Sequence, residues 1–128
     1  MQLSLDTIMF FVHKLDTMQH FYAQVLQLPI VEEIPGQWVL LKAGHCHIGL
    51  HQIPPQYLQD WTPVNPEESN TKIIFSVTED LVALREKLVA QHVVLQDIKT
   101  FDGYPYWLCD GQDPEGNVFQ LQQKKGVS

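Results

Sequence analysis

Asp113-Pro114-Glu115-Gly116-Asn117-Val118-Phe119-Gln120-Leu121 decides how this chain is read. An acidic residue, a proline with restricted φ, one free position and a glycine make a tight turn, and the residues after it alternate as in a half-buried strand. Earlier in the chain, Ala43-Gly44-His45-Cys46 comes before His47-Ile48-Gly49-Leu50-His51 with similar punctuation. Each half of the chain closes on a strand of one kind, which points to an internal repeat.

Aligning the chain with itself supports the repeat. An offset of 65 residues sets Thr7-Ile8-Met9-Phe10-Phe11-Val12 on Lys72-Ile73-Ile74-Phe75-Ser76-Val77, and Leu28-Pro29-Ile30 on Val93-Val94-Leu95. By the last strands the offset has drifted to 71, because the hairpins differ in length, and it pairs Ile48-Gly49-Leu50 with Phe119-Gln120-Leu121. Thr7 thus corresponds to Lys72, and Gly49 to Gln120.

With 128 residues, 45% apolar and 18% charged, the chain is expected to be one domain, 1–128, made of two modules, 4–52 and 71–123, joined by a linker over 53–70. A net charge of −7 with only eight Lys and Arg argues against nucleic acid and against an anionic membrane surface. No apolar run is long enough to span a bilayer. Met1-Gln2-Leu3-Ser4 lacks the basic-then-apolar form of a signal peptide, so a cytoplasmic protein is expected, with Cys46 and Cys109 as free thiols.

Residues 4 to 12 read as a strand with Ile8, Phe10 and Val12 on one face and Thr7, Met9 and Phe11 on the other, both faces apolar enough to be covered. Asp16-Thr17-Met18-Gln19 has the form of a capping box, and Leu15, Met18, Phe21, Tyr22, Val25 and Leu26 follow at helical spacing to about Gln27. Strands over 28–33, 38–41 and 46–52 complete a βαβββ order. The linker, rich in proline, carries Tyr57 and Trp61, read first as side chains that pin it to the body and alternatively as lid residues over a cavity. In the second half a strand over 71–77, a helix with Thr78 as its capping residue, Glu79 and Asp80 as acids in its first turn and Leu81, Leu84, Leu88 and Val89 on one face, and strands over 93–98, 104–110 and 117–123 repeat the order.

Tandem βαβββ units, with Phe21-Tyr22 before the Val25-Leu26-Gln27-Leu28 helix exit and Asp113-Pro114-Glu115-Gly116-Asn117 closing the second, resemble the vicinal oxygen chelate superfamily. That group includes glyoxalase I, bleomycin-resistance proteins, extradiol dioxygenases and fosfomycin-resistance enzymes. The resemblance covers about Leu5 to Gln122. It implies an α+β fold whose tandem modules form a curled mixed sheet around a cavity, with metal ligands, where present, on the first and last strand of each module. Those positions fall on Thr7, Gly49, Lys72 and Gln120, of which only Gln120 is a suitable ligand type. No metal or other cofactor is therefore expected. A displaced divalent-metal site at His45-x-His47 is the alternative, with Asp6 set aside because strand parity points it away from Thr7.

Parity also provides a cavity inventory. Thr7, Met9, Phe11, His47, Gly49 and His51 are the pocket candidates of the first module, and Lys72, Ile74, Ser76, Val118, Gln120 and Gln122 those of the second. The leading expectation is a small-molecule-binding protein of the bleomycin-resistance type, without the family's catalytic metal, that forms a homodimer. One alternative is a lyase, isomerase, transferase or dioxygenase-like enzyme that uses Lys72 or the displaced metal site. Another is an interaction module whose pocket is vestigial. A lysine in a dry cavity needs a partner, so Lys72 is expected to attract an anionic or carbonyl-bearing ligand or to lose its proton.

Overall fold

A computed structural model describes residues 1–58, 62–63 and 65–126 of the chain. The chain divides into two compact units, Met1–Thr62 and Pro63–Ser128, and the division falls inside the linker stretch. Trp61 lies outside the described residues. Tyr57, in a short 3-10 turn over Pro55–Tyr57, is 69% exposed, so it does not pin the linker by burial.

The first unit runs β1 (Thr7–Val12), α1 (Leu15–Gln19), a π-helical turn (His20–Val25), β2 (Ile30–Ile34), β3 (Trp38–Ala43) and β4 (Cys46–Gln52). Its sheet has the order β1-β4-β3-β2, with β1 parallel to β4 and the other pairs antiparallel. Strand alternation gathers Ile8, Phe10, Val39, Leu41, Ile48 and Leu50 on one face. The helical segment supplies Leu15, Met18, Phe21 and Tyr22, all buried, and the Tyr22 ring stacks on Phe10 at 6.3 Å. Each such fully buried side chain contributes about 1.5–3 kcal/mol. The opposite face is not covered as expected: Met9 is 44% and Phe11 62% exposed. The capping box does not form either, because Lys14 is the N-cap and Asp16 already lies in the first turn.

The second unit runs β5 (Ile73–Ser76), α2 (Leu81–Val89), β6 (Val94–Leu95), β7 (Tyr106–Gln112) and β8 (Val118–Lys124), in the sheet order β5-β8-β7-β6. Again the first and last strands are parallel, and the rest are antiparallel. Leu81 and Leu88 of α2 are buried, as are Phe119 and Leu121 of β8. The cap of α2 is Asp80, which accepts from the Ala83 N–H at 3.4 Å, two residues later than the sequence reading put it. The second strand of this unit, β6, is shorter than the expected 93–98, continuing only as a bridge between Lys99 and Leu108. The quoted turn forms tightly: Asp113 Oδ1 accepts from Glu115 N and Asn117 N at 2.9 and 3.0 Å, and Gly116 takes a φ of +88° that a β-carbon would strain.

The expected single curled sheet around a cavity is not what forms. The strands make two separate four-stranded sheets, and both are open, with β1 and β2 as the edges of one and β5 and β6 as the edges of the other. The reason is in the connection: among the described residues, none from 53 to 70 joins a ladder, so each βαβββ unit completes its own hydrogen bonding and stops. The repeat itself is visible in the register. Met9 pairs with Gly49 in one unit and Ile74 with Gln120 in the other, which are equivalent positions at offsets of 65 and 71.

Candidate functional site

In the first unit, the parallel β1–β4 pair sets Thr7 beside His47, Met9 beside Gly49 and Phe11 beside His51, so all six candidates share the face away from the helix. Trp38 of β3 joins them. A β-carbon on Gly49 would lie 2.4 Å from the Trp38 ring, which means the indole lies across the glycine and fills the space a side chain there would need. His51 sits among rings, 5.7 Å from Phe11 and 6.2 Å from Trp38, and its buried Nδ1 has no hydrogen-bond partner among the described residues. Trp38 was absent from the sequence inventory. The available signal was its register opposite His51, diagonal to Gly49, legible only once the hairpin pairing is known.

His47 is engaged by Asp6, against the parity argument. Its Nδ1 lies 3.3 Å from the Asp6 carbonyl and 4.0 Å from the Asp6 carboxylate, while Thr7 Oγ1 donates to the other carboxylate oxygen at 2.5 Å. Asp6 precedes the first residue of β1, where the pleat no longer dictates direction. His45 is exposed at the turn. Among the described residues, no three His, Cys, Asp or Glu side chains come together in a group suited to a metal ion.

In the second unit, Ile74 pairs with Gln120 and Ser76 with Gln122, whose side-chain nitrogen donates to Ser76 Oγ at 3.3 Å. Asp110 of β7, opposite Gln120, is the centre of a polar cluster that the sequence inventory missed. Lys72 Nζ donates to Asp110 Oδ2 at 3.0 Å, and Lys99 Nζ reaches the same oxygen at 3.4 Å. Gln120 Nε2 donates to Oδ1 at 2.8 Å. Burial of Asp110 works to raise its pKa, but the hydrogen bonds from Gln120 and Lys72 and the charges of both lysines outweigh it and hold the carboxyl below its ordinary value. The cluster borders a cavity of about 740 Å³, lined by Asn65, Ser69, Asn70, Lys72, Asp110 and Val118 among others. Of the sequence candidates, only Lys72 and Val118 line it.

Residues 4–121 match the Glyoxalase/Bleomycin resistance protein/Dioxygenase superfamily. The chain belongs to that superfamily. An integron cassette protein from the mobile metagenome of V. Pseudocholerae is 25% identical, with 96% of each chain covered and a TM-score of 0.71. The antibiotic binding protein TnmS3 from Streptomyces sp. CB03234 is 18% identical over 98% of this chain and 99% of its own, with a TM-score of 0.72. Lactoylglutathione lyase from Agrobacterium tumefaciens is 18% identical over 94% and 92%, with a TM-score of 0.70. The last two likenesses are of fold alone. Among curated proteins, none matches the chain in sequence. Within the superfamily, this chain carries Trp38 over Gly49 and an Asp110-centred cluster beside Gln120. No helix among the described residues is long and apolar enough to cross a membrane.

Proposed function

We propose that this superfamily member is a small-molecule-binding protein that works without a resident divalent metal. The observation that carries the reading is the Trp38 indole lying over Gly49. At one of the four family ligand positions there is no donor atom, and a ring fills the room a donor would need. The other three do not suit an ion either. The Thr7 hydroxyl donates a hydrogen bond to Asp6, the Lys72 amine donates one to Asp110, and Gln120 directs its amide nitrogen at the same carboxylate. The face that lost its ligands keeps a binding character. Exposed Met9 and Phe11 lie beside Trp38 and His51, an apolar and aromatic surface with a few polar atoms of the kind small-molecule sites use. A buried, unmet ring nitrogen such as His51 Nδ1 costs about 1–3 kcal/mol, a cost that folds tolerate at working surfaces.

The similarity in fold to an antibiotic binding protein accords with this reading. The protein is proposed to act as a twofold homodimer, and its free Cys46 and Cys109 accord with a reducing, cytoplasmic setting. Two measurements on untagged protein test the function. Elemental analysis is expected to find far less than one equivalent of zinc, nickel, manganese or iron per chain. A thermal-shift screen of planar aromatic compounds is expected to give hits that quench tryptophan emission in the native chain and not in Trp38→Leu. A full equivalent of metal, or a screen with no Trp38-dependent hit, would reject the reading.

A further inference from the structure

The cavity of the second unit is lined mainly by uncharged polar side chains carried on well-held backbone. Asp110 and Gln112 lie two apart on β7 and share a face, and Val118 of β8 stands opposite Gln112. Gln96, just beyond β6, and the stretch from Asn65 to Lys72 add to the lining, in which no described residue is aromatic. Its charges leave little to attract an ion. Lys72 Nζ is 3.0 Å from Asp110 Oδ2, and Glu67, the remaining charged group of the lining, is exposed to water. The uncharged groups hold both senses of hydrogen bonding open. Asn65 Oδ1 accepts from Glu67 N at 3.1 Å and Asn70 Oδ1 from Thr71 Oγ1 at 2.8 Å. Each carboxamide is thereby fixed, and its nitrogen, with two protons to give, has no partner among the described residues. Gln96 is held by its backbone, whose N–H donates to the Asp110 carbonyl at 2.8 Å and whose carbonyl accepts from Arg85 Nε at 2.9 Å. Its side chain, like that of Gln112, bonds to no other described residue, so both carboxamides offer oxygen and nitrogen alike.

We propose that this cavity binds an uncharged polyhydroxylated small molecule, a sugar or cyclic polyol, through the carboxamides of Asn65, Asn70, Gln96 and Gln112. A hydroxyl both donates and accepts, so a ring that carries several meets donor-only and two-way carboxamides at once. An open polar cavity is wet, and a ligand gains there only where its own groups reproduce the hydrogen bonds of the water it displaces. Hydroxyl groups do this. A flat aromatic heterocycle would find no ring in the lining to stack on, whereas Val118 and Pro66 give the C–H face of a saturated ring apolar contact. This is a second site, and it does not rest on the aromatic face around Trp38.

The test is a titration of the full-length chain with D-glucose, D-ribose and myo-inositol at constant ionic strength, followed by backbone and side-chain amide resonances. At least one of the three is expected to shift the side-chain amides of Gln96 and Gln112 and the backbone amide of Thr71 saturably. A Kd of about a few millimolar is expected, the scale that size sets for such a ligand. Cyclohexanol, the inositol ring with a single hydroxyl, is expected to leave those resonances in place, as are nicotinamide and gluconate. Gln112→Met keeps the length and removes the carboxamide, and is expected to weaken binding about three- to tenfold, the loss of neutral hydrogen bonds. Gln96→Met, at an exposed position, is expected to do the same and decides the matter if Gln112→Met does not fold. The proposal is overturned if none of the three polyols moves those resonances, or if cyclohexanol, nicotinamide or gluconate moves them at the same concentration. It is also overturned if either folded variant binds as tightly as the native chain. Its loss would leave the small-molecule reading at Trp38 standing, since that reading is judged by its own aromatic hits and metal content.

Discussion

Gly111 and Gly49 mark two places where a single added methyl group meets a neighbour. At Gly111 a β-carbon would lie 2.6 Å from both Leu95 Cδ2 and Phe119 Cζ, and Phe119 is only 1% exposed and cannot swing away. Gly111→Ala is therefore expected to lose about 1–3 kcal/mol in urea unfolding, the usual cost of overpacking. At Gly49 the obstacle is the far end of one partly exposed indole, so Gly49→Ala is expected to cost less and to change tryptophan emission as Trp38 is displaced. Asp110 supplies the residue-scale pH dependence. Its folded pKa lies below the ordinary 3.8, so its stabilising contribution is complete above that value and is lost as the pH falls through the lower folded one. The stability difference between the native chain and Asp110→Asn is expected to stay flat from neutral pH to about pH 5 and to shrink below about pH 4. A difference that instead changes between pH 6 and 8 would mean that another group governs it.

At the scale of elements, the two helix starts are built alike, by a device far away in sequence. Gln52, at the end of β4, accepts from the Leu15 N–H at 2.9 Å and donates to the carbonyls of His13 and Ile53. Gln123, near the end of β8, accepts from the Leu81 N–H at 3.0 Å and donates to the Glu79 carbonyl. The two glutamines are equivalents at the same offset of 71 that pairs Gly49 with Gln120. Each closing strand thus satisfies the first free donor of its own unit's helix. This explains why the helix at Leu15 needs no capping side chain from its own turn. Gln123→Ala leaves the buried Leu81 amide without a partner and is expected to cost about 1–3 kcal/mol, with faster hydrogen exchange at Leu81. Gln52→Ala is expected to act likewise at Leu15, and unaltered exchange at both amides would show that the glutamines are dispensable.

For the molecule as a whole, the exposed apolar residues carry the expectation of pairing. Phe11 at 62%, Ile74 at 52% and Met9 at 44% exposure lie on the candidate faces, and β1 and β5 are open sheet edges. A second copy of the chain is the expected partner, since closed twofold pairing buries the same surface on both copies. Light scattering at micromolar concentration is expected to give twice the chain mass, and a monomer would reject this.

Much of the architecture was legible from residue order, because it rests on local rules. The turn chemistry of Asp113-Pro114-Glu115-Gly116, the alternation of β4 and β8, and the 65- and 71-residue offsets are properties of the chain in one dimension, and they led to two βαβββ units with Met9–Gly49 and Ile74–Gln120 in equivalent register. The poverty of metal ligands at Thr7, Gly49 and Lys72 was likewise a matter of reading residue types. What the tertiary structure alone decided were relations between strands. Hydrogen bonding stopped at two open sheets where one curled sheet was expected. Asp6 met His47 across β1 and β4, and Asp110 gathered Lys72, Lys99 and Gln120 from three separate stretches. Trp38 came to lie over Gly49, and Gln52 and Gln123 reached the helix starts. Each of these depends on which residues face each other across a ladder. A side chain's neighbours in sequence do not specify that, because the pairing is set by burial of the whole apolar face at once.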